Sequence, residues 1–140
     1  RIEKGSRAWK GDLSTDYTLL EAGLDRFVKL ERNDDFLGKD ALIAQRDEGL
    51  DKRFAMMTID IGDYDAPYMS TVWKGDELVG EITSGAMGYR CNKFVALSVL
   101  RTDCLEPGTN LEVEVFGDRR AAIVTGDEAA WDPQNERLRA

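Results

Sequence analysis

The side chains able to do chemistry in this sequence fall into four short segments. The first is Arg1-Ile2-Glu3-Lys4-Gly5, followed by Arg7, Trp9 and Asp12. An ionised carboxylate beside a glycine and an aromatic residue can receive the edge of a planar, donor-rich ring. One carboxylate accepts two N–H groups from such an edge, and charge-assisted bonds of this kind are strong. The plainer alternative is a surface Glu3 paired with Arg1 or Lys4, a common and weak arrangement. The second segment, Gly80 to Tyr89, holds Gly80, Gly85 and Gly88. Glycines there allow close backbone approach or unusual φ. Tyr89 can stack on a ring while its hydroxyl stays wet, and Lys93 beyond it can meet an anionic tail. The plainer alternative is a glycine-rich bend in a barrel with Tyr89 as a packing residue. The glycine spacing fits neither a P-loop nor a dinucleotide fingerprint.

The third segment is Thr18 to Leu24, where Glu21 precedes Gly23. A Glu beside a glycine-ended turn is more often a helix-terminus residue than an acid catalyst. The fourth is the tail, Trp131 to Arg139, in which Arg137 and Arg139 can attract a carboxylate-rich ligand or simply face water.

Composition narrows the chemistry. The 140-residue chain has no histidine, so the usual general base and every Ser-His or Cys-His arrangement are absent. Two cysteines, Cys91 and Cys104, make neither a disulfide framework nor a close zinc-ligand pair, and they read as reduced thiols. No metal site is expected. The net charge of −8 argues against nucleic acid, whose affinity comes mostly from Lys and Arg on phosphate. No apolar run approaches the roughly 18 residues of a membrane span. No secretory signal opens the chain, and together with the free thiols this predicts a cytoplasmic location. The chain starts with Arg1, inside what reads as structured sequence, and is expected to be a piece of a longer polypeptide.

The elements that would position these segments come in two textures. Residues 1–52 hold a short helical turn over Thr15–Gly23, an extended piece over Phe27–Leu30, a turn at Asn33–Asp35, and a helix over Lys39–Glu48 stopped by Gly49. From residue 53 apolar and polar residues alternate. Ala55, Met57, Ile59 and Ile61 share one face of a strand, with Phe54, Met56, Thr58 and Asp60 on the other. Strands are further predicted at Thr71–Trp73, Leu78–Thr83, Phe94–Leu100, Leu111–Val115 and Arg120–Thr125, with hairpin turns at Lys74–Glu77 and Gly117-Asp118. Six short strands with regular turns suggest a small barrel or sandwich.

Taken in order, these segments resemble the glycine-cleavage T-protein family of aminomethyltransferases. They are most similar to the folate unit of dimethylglycine and sarcosine dehydrogenases. The resemblance rests on Arg1–Gly5 with Trp9 and Asp12, then Leu20–Leu24, Phe36–Leu42, Val79–Gly85 and Asp132–Arg139. Leu19 stands where the family often has Pro, and Ser70-Thr71 where it often has Glu-Pro.

The resemblance implies an α+β, mostly β fold. Residues 53–140 would form a small C-terminal antiparallel β-barrel, and residues 1–52 the truncated end of an α/β folate-binding domain. It implies tetrahydrofolate as the ligand, with Glu3 on the pterin. Tyr89, Arg1 and Arg137 complete the expected folate-binding set. No catalytic residue is expected in the chain, because the family's proton-handling acid lies upstream, and FAD would belong only to an upstream flavin domain. The isolated chain would then be inactive, since catalysis needs groups held in mutual register. Its partners would be folate and the other domains of the same polypeptide, with no nucleic acid and no membrane. Two alternatives stay open. One is a stand-alone T-protein-like transferase or folate-dependent demethylase, and the other a non-catalytic barrel module for inter-domain contacts.

Overall fold

The computed structural model describes residues 1–62, 65–137 and 139. Six strands close into an antiparallel barrel: β1 Lys52–Ile59, β2 Thr71–Lys74, β3 Glu77–Gly88, β4 Lys93–Arg101, β5 Asn110–Val115 and β6 Asp118–Gly126. Around the barrel they run β1-β4-β3-β2-β5-β6. Closure removes the exposed strand edges that would otherwise template aggregation.

Alternation decides what lies inside. Ala55, Met57 and Ile59 of β1 join Val72, Ile82, Phe94, Ala96, Leu100, Val113 and Val124 in one buried cluster fed by every strand. The opposite face of β1 and β4 is not left to water. Phe54, Met56, Val95 and Leu97 form a second cluster, covered by Ile2, Cys91 and Ala130. Strands β1 and β4 are thus buried on both faces, which explains their near-continuous apolar runs.

The chain before β1 supplies part of that cover, through Ile2. It starts with a 3-10 turn, Ile2–Lys4, closed by Gly5 at φ 63°. The turn expected at Thr15–Gly23 is present as a capped loop rather than a regular helix. The Thr18 hydroxyl accepts from the Glu21 N–H (3.2 Å) and the Glu21 carboxylate accepts from the Thr18 N–H (2.8 Å). This is a capping box, in which two otherwise unpaired donors are satisfied reciprocally. Glu21 is therefore a terminus residue.

Of the extended piece expected at Phe27–Leu30, Phe27 closes a 3-10 turn, Asp25–Phe27, and Val28 is extended (φ −110°, ψ 108°). Arg53 of β1 holds the start of that turn, with two bonds of 3.1 and 2.6 Å to Asp25. The helix α1, Lys39–Glu48, ends at Gly49 as expected. Strand β3 runs five residues past its predicted end at Thr83, to Gly88. At Gly80 a side chain has no room, because a Cβ there would overlap the Val99 carbonyl oxygen and the Leu100 side chain.

One buried carboxylate fastens this cover to the sheet. Asp12 is 1% exposed. It accepts from Arg1 Nη1 (2.9 Å), the Ala8 N–H (2.7 Å), Thr83 Oγ1 (2.6 Å) and Ser84 Oγ (3.0 Å). Neighbouring residues on a strand normally point to opposite faces. Here β3 shifts register against β4 between Ile82 and Ser84. Such a bulge re-aims side chains, and both hydroxyls reach the same carboxylate. Arg7 makes a second fastening. It lies 3.6 Å from the centre of the Phe54 ring and donates to the Ala22 carbonyl and to Asp127.

Removing Asp12 takes the acceptor from four donors, and leaving a buried polar network half satisfied is expensive. Asp12→Ala is expected to lose about 3 kcal/mol of stability, and Asp12→Asn, which keeps one acceptor oxygen, about half of that. Urea unfolding at neutral pH measures both. A loss under about 1 kcal/mol for the alanine variant would mean that the network contributes little.

Candidate functional site

Glu3 lies on the first 3-10 turn, which packs against β3 and β4 at their shared hairpin. Its Oε1 accepts the backbone N–H groups of Arg90 (2.7 Å) and Cys91 (3.2 Å). No hydrogen bond reaches Oε2 among the described residues. Burial alone would raise the Glu3 pKa. The two backbone bonds, the Cys91 thiol and the Arg90 charge outweigh it and hold the carboxyl below its ordinary 4.5. Glu3 is therefore ionised at neutral pH.

The hairpin makes room for this carboxylate by omitting a side chain. A Cβ on Gly88 would stand 2.5 Å from Cys91 Sγ, 3.0 Å from the Lys93 carbonyl oxygen and 3.1 Å from Glu3 Cγ. Tyr89 follows at the hairpin tip and is 87% exposed. A flat, donor-edged heterocycle is bound by stacking on an exposed ring and by hydrogen bonding to an ionised carboxylate, and the hairpin carries the first next in sequence to the residues that hold the second.

The four residues expected at the site are not all gathered there. Glu3 reaches the hairpin through the Arg90 and Cys91 N–H groups, and Tyr89 is the exposed residue just before Arg90. Arg1 turns to Asp12, Ser84 and the Ser6 carbonyl, so its guanidinium is committed to the fastening network. Arg137 is exposed on the tail, and its N–H donates to Asp132 Oδ1 (3.3 Å). The tail nevertheless comes close to Glu3, because the Trp131 N–H donates to the Glu3 carbonyl (3.1 Å). The sequence reading missed Lys4. Its Nζ donates to the Trp131 and Asp132 carbonyls (3.4 and 2.5 Å) and to Asn135 Oδ1 (2.7 Å). No local spacing signals a contact that spans over 125 residues.

Among the described residues no group of three or more Cys, Asp and Glu is placed to hold a metal ion. Among the described residues no helix is long and apolar enough to cross a membrane. A cavity of about 600 Å³ opens between Thr58–Gly62, Met87 and Asn92–Phe94. Glu3 does not line it.

Residues 52–128 match the family described as the glycine cleavage T-protein C-terminal barrel domain. The chain belongs to this family. It is 35% identical to mouse dimethylglycine dehydrogenase over 139 residues, which is 99% of this chain and 16% of that protein. It is also 35% identical to an aminomethyltransferase of Prochlorococcus marinus over 124 residues, 89% of this chain and 33% of that one. The glycine cleavage system aminomethyltransferase T of Bartonella henselae shares the fold. Its crystal structure superposes with a TM-score of 0.82 at 21% identity, over 90% of this chain and 36% of that chain. The chain therefore spans well under half the length of the relatives it matches.

Two expectations follow from the geometry around Glu3. Gly88→Val is expected to push the Glu3 side chain off the hairpin and to lose about 1–3 kcal/mol, the usual size of an overpacking strain. Hydrogen exchange at the Arg90 and Cys91 amides would show it as lost protection. The lowered Glu3 pKa also fixes a pH dependence. Its stabilisation is fully present above the ordinary value of 4.5 and is lost as pH falls through the lower folded value. The stability gap between the wild type and Glu3→Gln, measured by urea unfolding, should therefore be widest above pH 4.5 and close in acid. A gap that widens in acid would contradict the assignment.

Proposed function

We propose that this chain forms one wall of a tetrahydrofolate-binding unit that handles one-carbon groups, of the kind found in dimethylglycine dehydrogenase. The observation that carries the reading is the Glu3 carboxylate. One oxygen is fixed by two backbone N–H groups, the other accepts no hydrogen bond among the described residues, and the exposed Tyr89 precedes Arg90 on the same hairpin.

The pterin edge of folate presents a ring N–H and an amino group. Oε2 keeps its lone pairs for these donors, and the bonds on Oε1 fix its direction. Fixing an acceptor before binding removes ordering entropy from the binding step. Tyr89 supplies a face for the ring. Tetrahydrofolate supplies the amine nitrogens that capture a one-carbon unit. The chain's own residues bind and orient. In this reading they carry out no proton transfer, because the site holds no histidine and Glu3 stays ionised.

The dehydrogenase reading is favoured over a stand-alone transferase by how far the similarity extends. The dehydrogenase relative aligns with 99% of the chain, and the aminomethyltransferase with 89%. Oxidation of an N-methyl amine on a flavin, capture chemistry and choice of amine would belong to segments of the protein outside this chain. The isolated chain would be inactive. Arg1 would act by holding the wall in place, and Arg137 would attract the carboxylate-rich end of folate. The proposal includes residues 1–52 as the end of a folate-binding domain and a cytoplasmic location, although the mouse relative is named as mitochondrial.

Calorimetry with 5-formyltetrahydrofolate tests the reading. Saturable binding is expected. Glu3→Gln should weaken it by about 1.5–3 kcal/mol, the usual size for a hydrogen bond to a charged group. Tyr89→Ala should weaken it by about 1 kcal/mol through the lost stacking face. Binding untouched by both substitutions would place the folate elsewhere, and no binding by the wild type would remove the folate reading from this chain.

A further inference from the structure

The tail does more than cover apolar surface. Three contacts bring it to Glu3 from three directions. The Trp131 N–H donates to the Glu3 carbonyl (3.1 Å). The Arg90 guanidinium lies 4.7 Å from the centre of the Trp131 ring, and the Arg90 N–H is the shorter of the two bonds on Glu3 Oε1. Lys4, next to Glu3, sits 5.6 Å from the same ring and donates to the Trp131 and Asp132 carbonyls and to Asn135 Oδ1. Its ammonium also pairs with Asp132 Oδ2 at 3.7 Å. Asp132 and Asn135 both adopt left-handed backbone, at φ 49° and 59°. That conformation costs non-glycine residues energy, though Asp and Asn tolerate it best. Such a bent segment persists only where its surroundings hold it.

We infer that the strap Trp131–Asn135 is a positioning element for Glu3, latched by Lys4 and joined to the β3–β4 hairpin through Arg90 on Trp131. The strap holds the main chain of Glu3 and the hairpin holds its carboxylate. The two holders touch each other through one cation–aromatic contact, an attraction favoured when a guanidinium lies over an indole face. Freeing the strap therefore loosens the hairpin, and with it the direction of Oε2. The inference rests on the folate reading only for the ligand in the second measurement below.

The first measurement needs no ligand. In ¹H–¹⁵N spectra of this chain, Lys4→Met is expected to shift the Arg90 and Cys91 amide resonances and to speed their hydrogen exchange. Lys4→Arg, which keeps charge and donors, should restore most of the wild-type pattern. Trp131→Leu should reproduce the Lys4→Met changes, and Trp131→Phe, which keeps a ring for Arg90, should largely spare them. Amides at Arg90 and Cys91 that stay unmoved in both Lys4→Met and Trp131→Leu overturn the inference.

The second measurement separates positioning from general loosening. Lys4→Met should weaken 5-formyltetrahydrofolate about tenfold, the loss of roughly one charge-assisted hydrogen bond. In a Glu3→Gln background the same substitution should have almost no further effect, because the strap acts through Glu3. Equal weakening in both backgrounds would reduce the strap to a structural cover. A wild type that ignores the ligand would defeat the folate reading and leave the spectra to decide the role of the strap.

Discussion

The Asp12 carboxylate is the constraint on which the rest of this structure depends. It is buried and it gathers four donors from three parts of the chain: the N-terminal Arg1, the Ala8 amide, and the bulged pair Thr83 and Ser84 of β3. A buried charge is tolerable only when it is paired and fully hydrogen-bonded. That requirement makes the arrangement specific, since any shift of the first turn or of the β3 bulge strands several polar groups at once. The covering segment is thereby fixed in one register on the barrel, and Glu3 with it.

Apolar packing supplies the area and the polar contacts supply the register. The second cluster, Phe54, Met56, Val95 and Leu97, exists because the chain before β1 and the tail after β6 close over the outside of β1 and β4. Guanidinium groups serve as the joints of this cover. Arg7 reaches Phe54, two carbonyls of the 22–23 turn and Asp127, and Arg53 ties β1 to Leu20 and Asp25. A planar, always-charged fork with five donors satisfies several backbone acceptors at once, which a lysine does less well. Where a lysine is used, Lys4, its point charge collects three oxygens in a compact cage.

The candidate site is assembled from these joints rather than from a pocket. Glu3 is held through its side chain by a hairpin some 87 residues away and through its main chain by a tail some 128 residues away. Gly88 serves it by absence, leaving the space its carbons occupy. A site of this kind is a wall, and a wall fits a chain that matches 16% of one relative and 36% of a solved neighbour.

Much of the fold was legible in the sequence. Alternation marked β1 and β5 and assigned the inner face of β1, while turn residues and an apolar run marked other strands, among them β2, β3 and β4. Gly49 and Gly117-Asp118 marked turns that only a left-handed or mirror-type backbone makes cheaply. The type and neighbourhood of Glu3 also singled it out as a carboxylate beside a glycine and aromatics. The sequence did not show why Phe54 and Met56, on the nominally outer face, are buried, nor that residues 25–27 form a 3-10 turn held at Asp25. Both depend on distant residues, the cover in one case and Arg53 in the other. Nor could it show that Arg1 answers to Asp12, that the plain-looking Lys4 latches the tail, or that one Glu3 oxygen is committed and the other open. Composition and periodicity report on neighbours along the chain. Hydrogen bonds between residues 3 and 90, 12 and 83, or 4 and 135 exist only once the barrel has closed and brought its wrapping ends together.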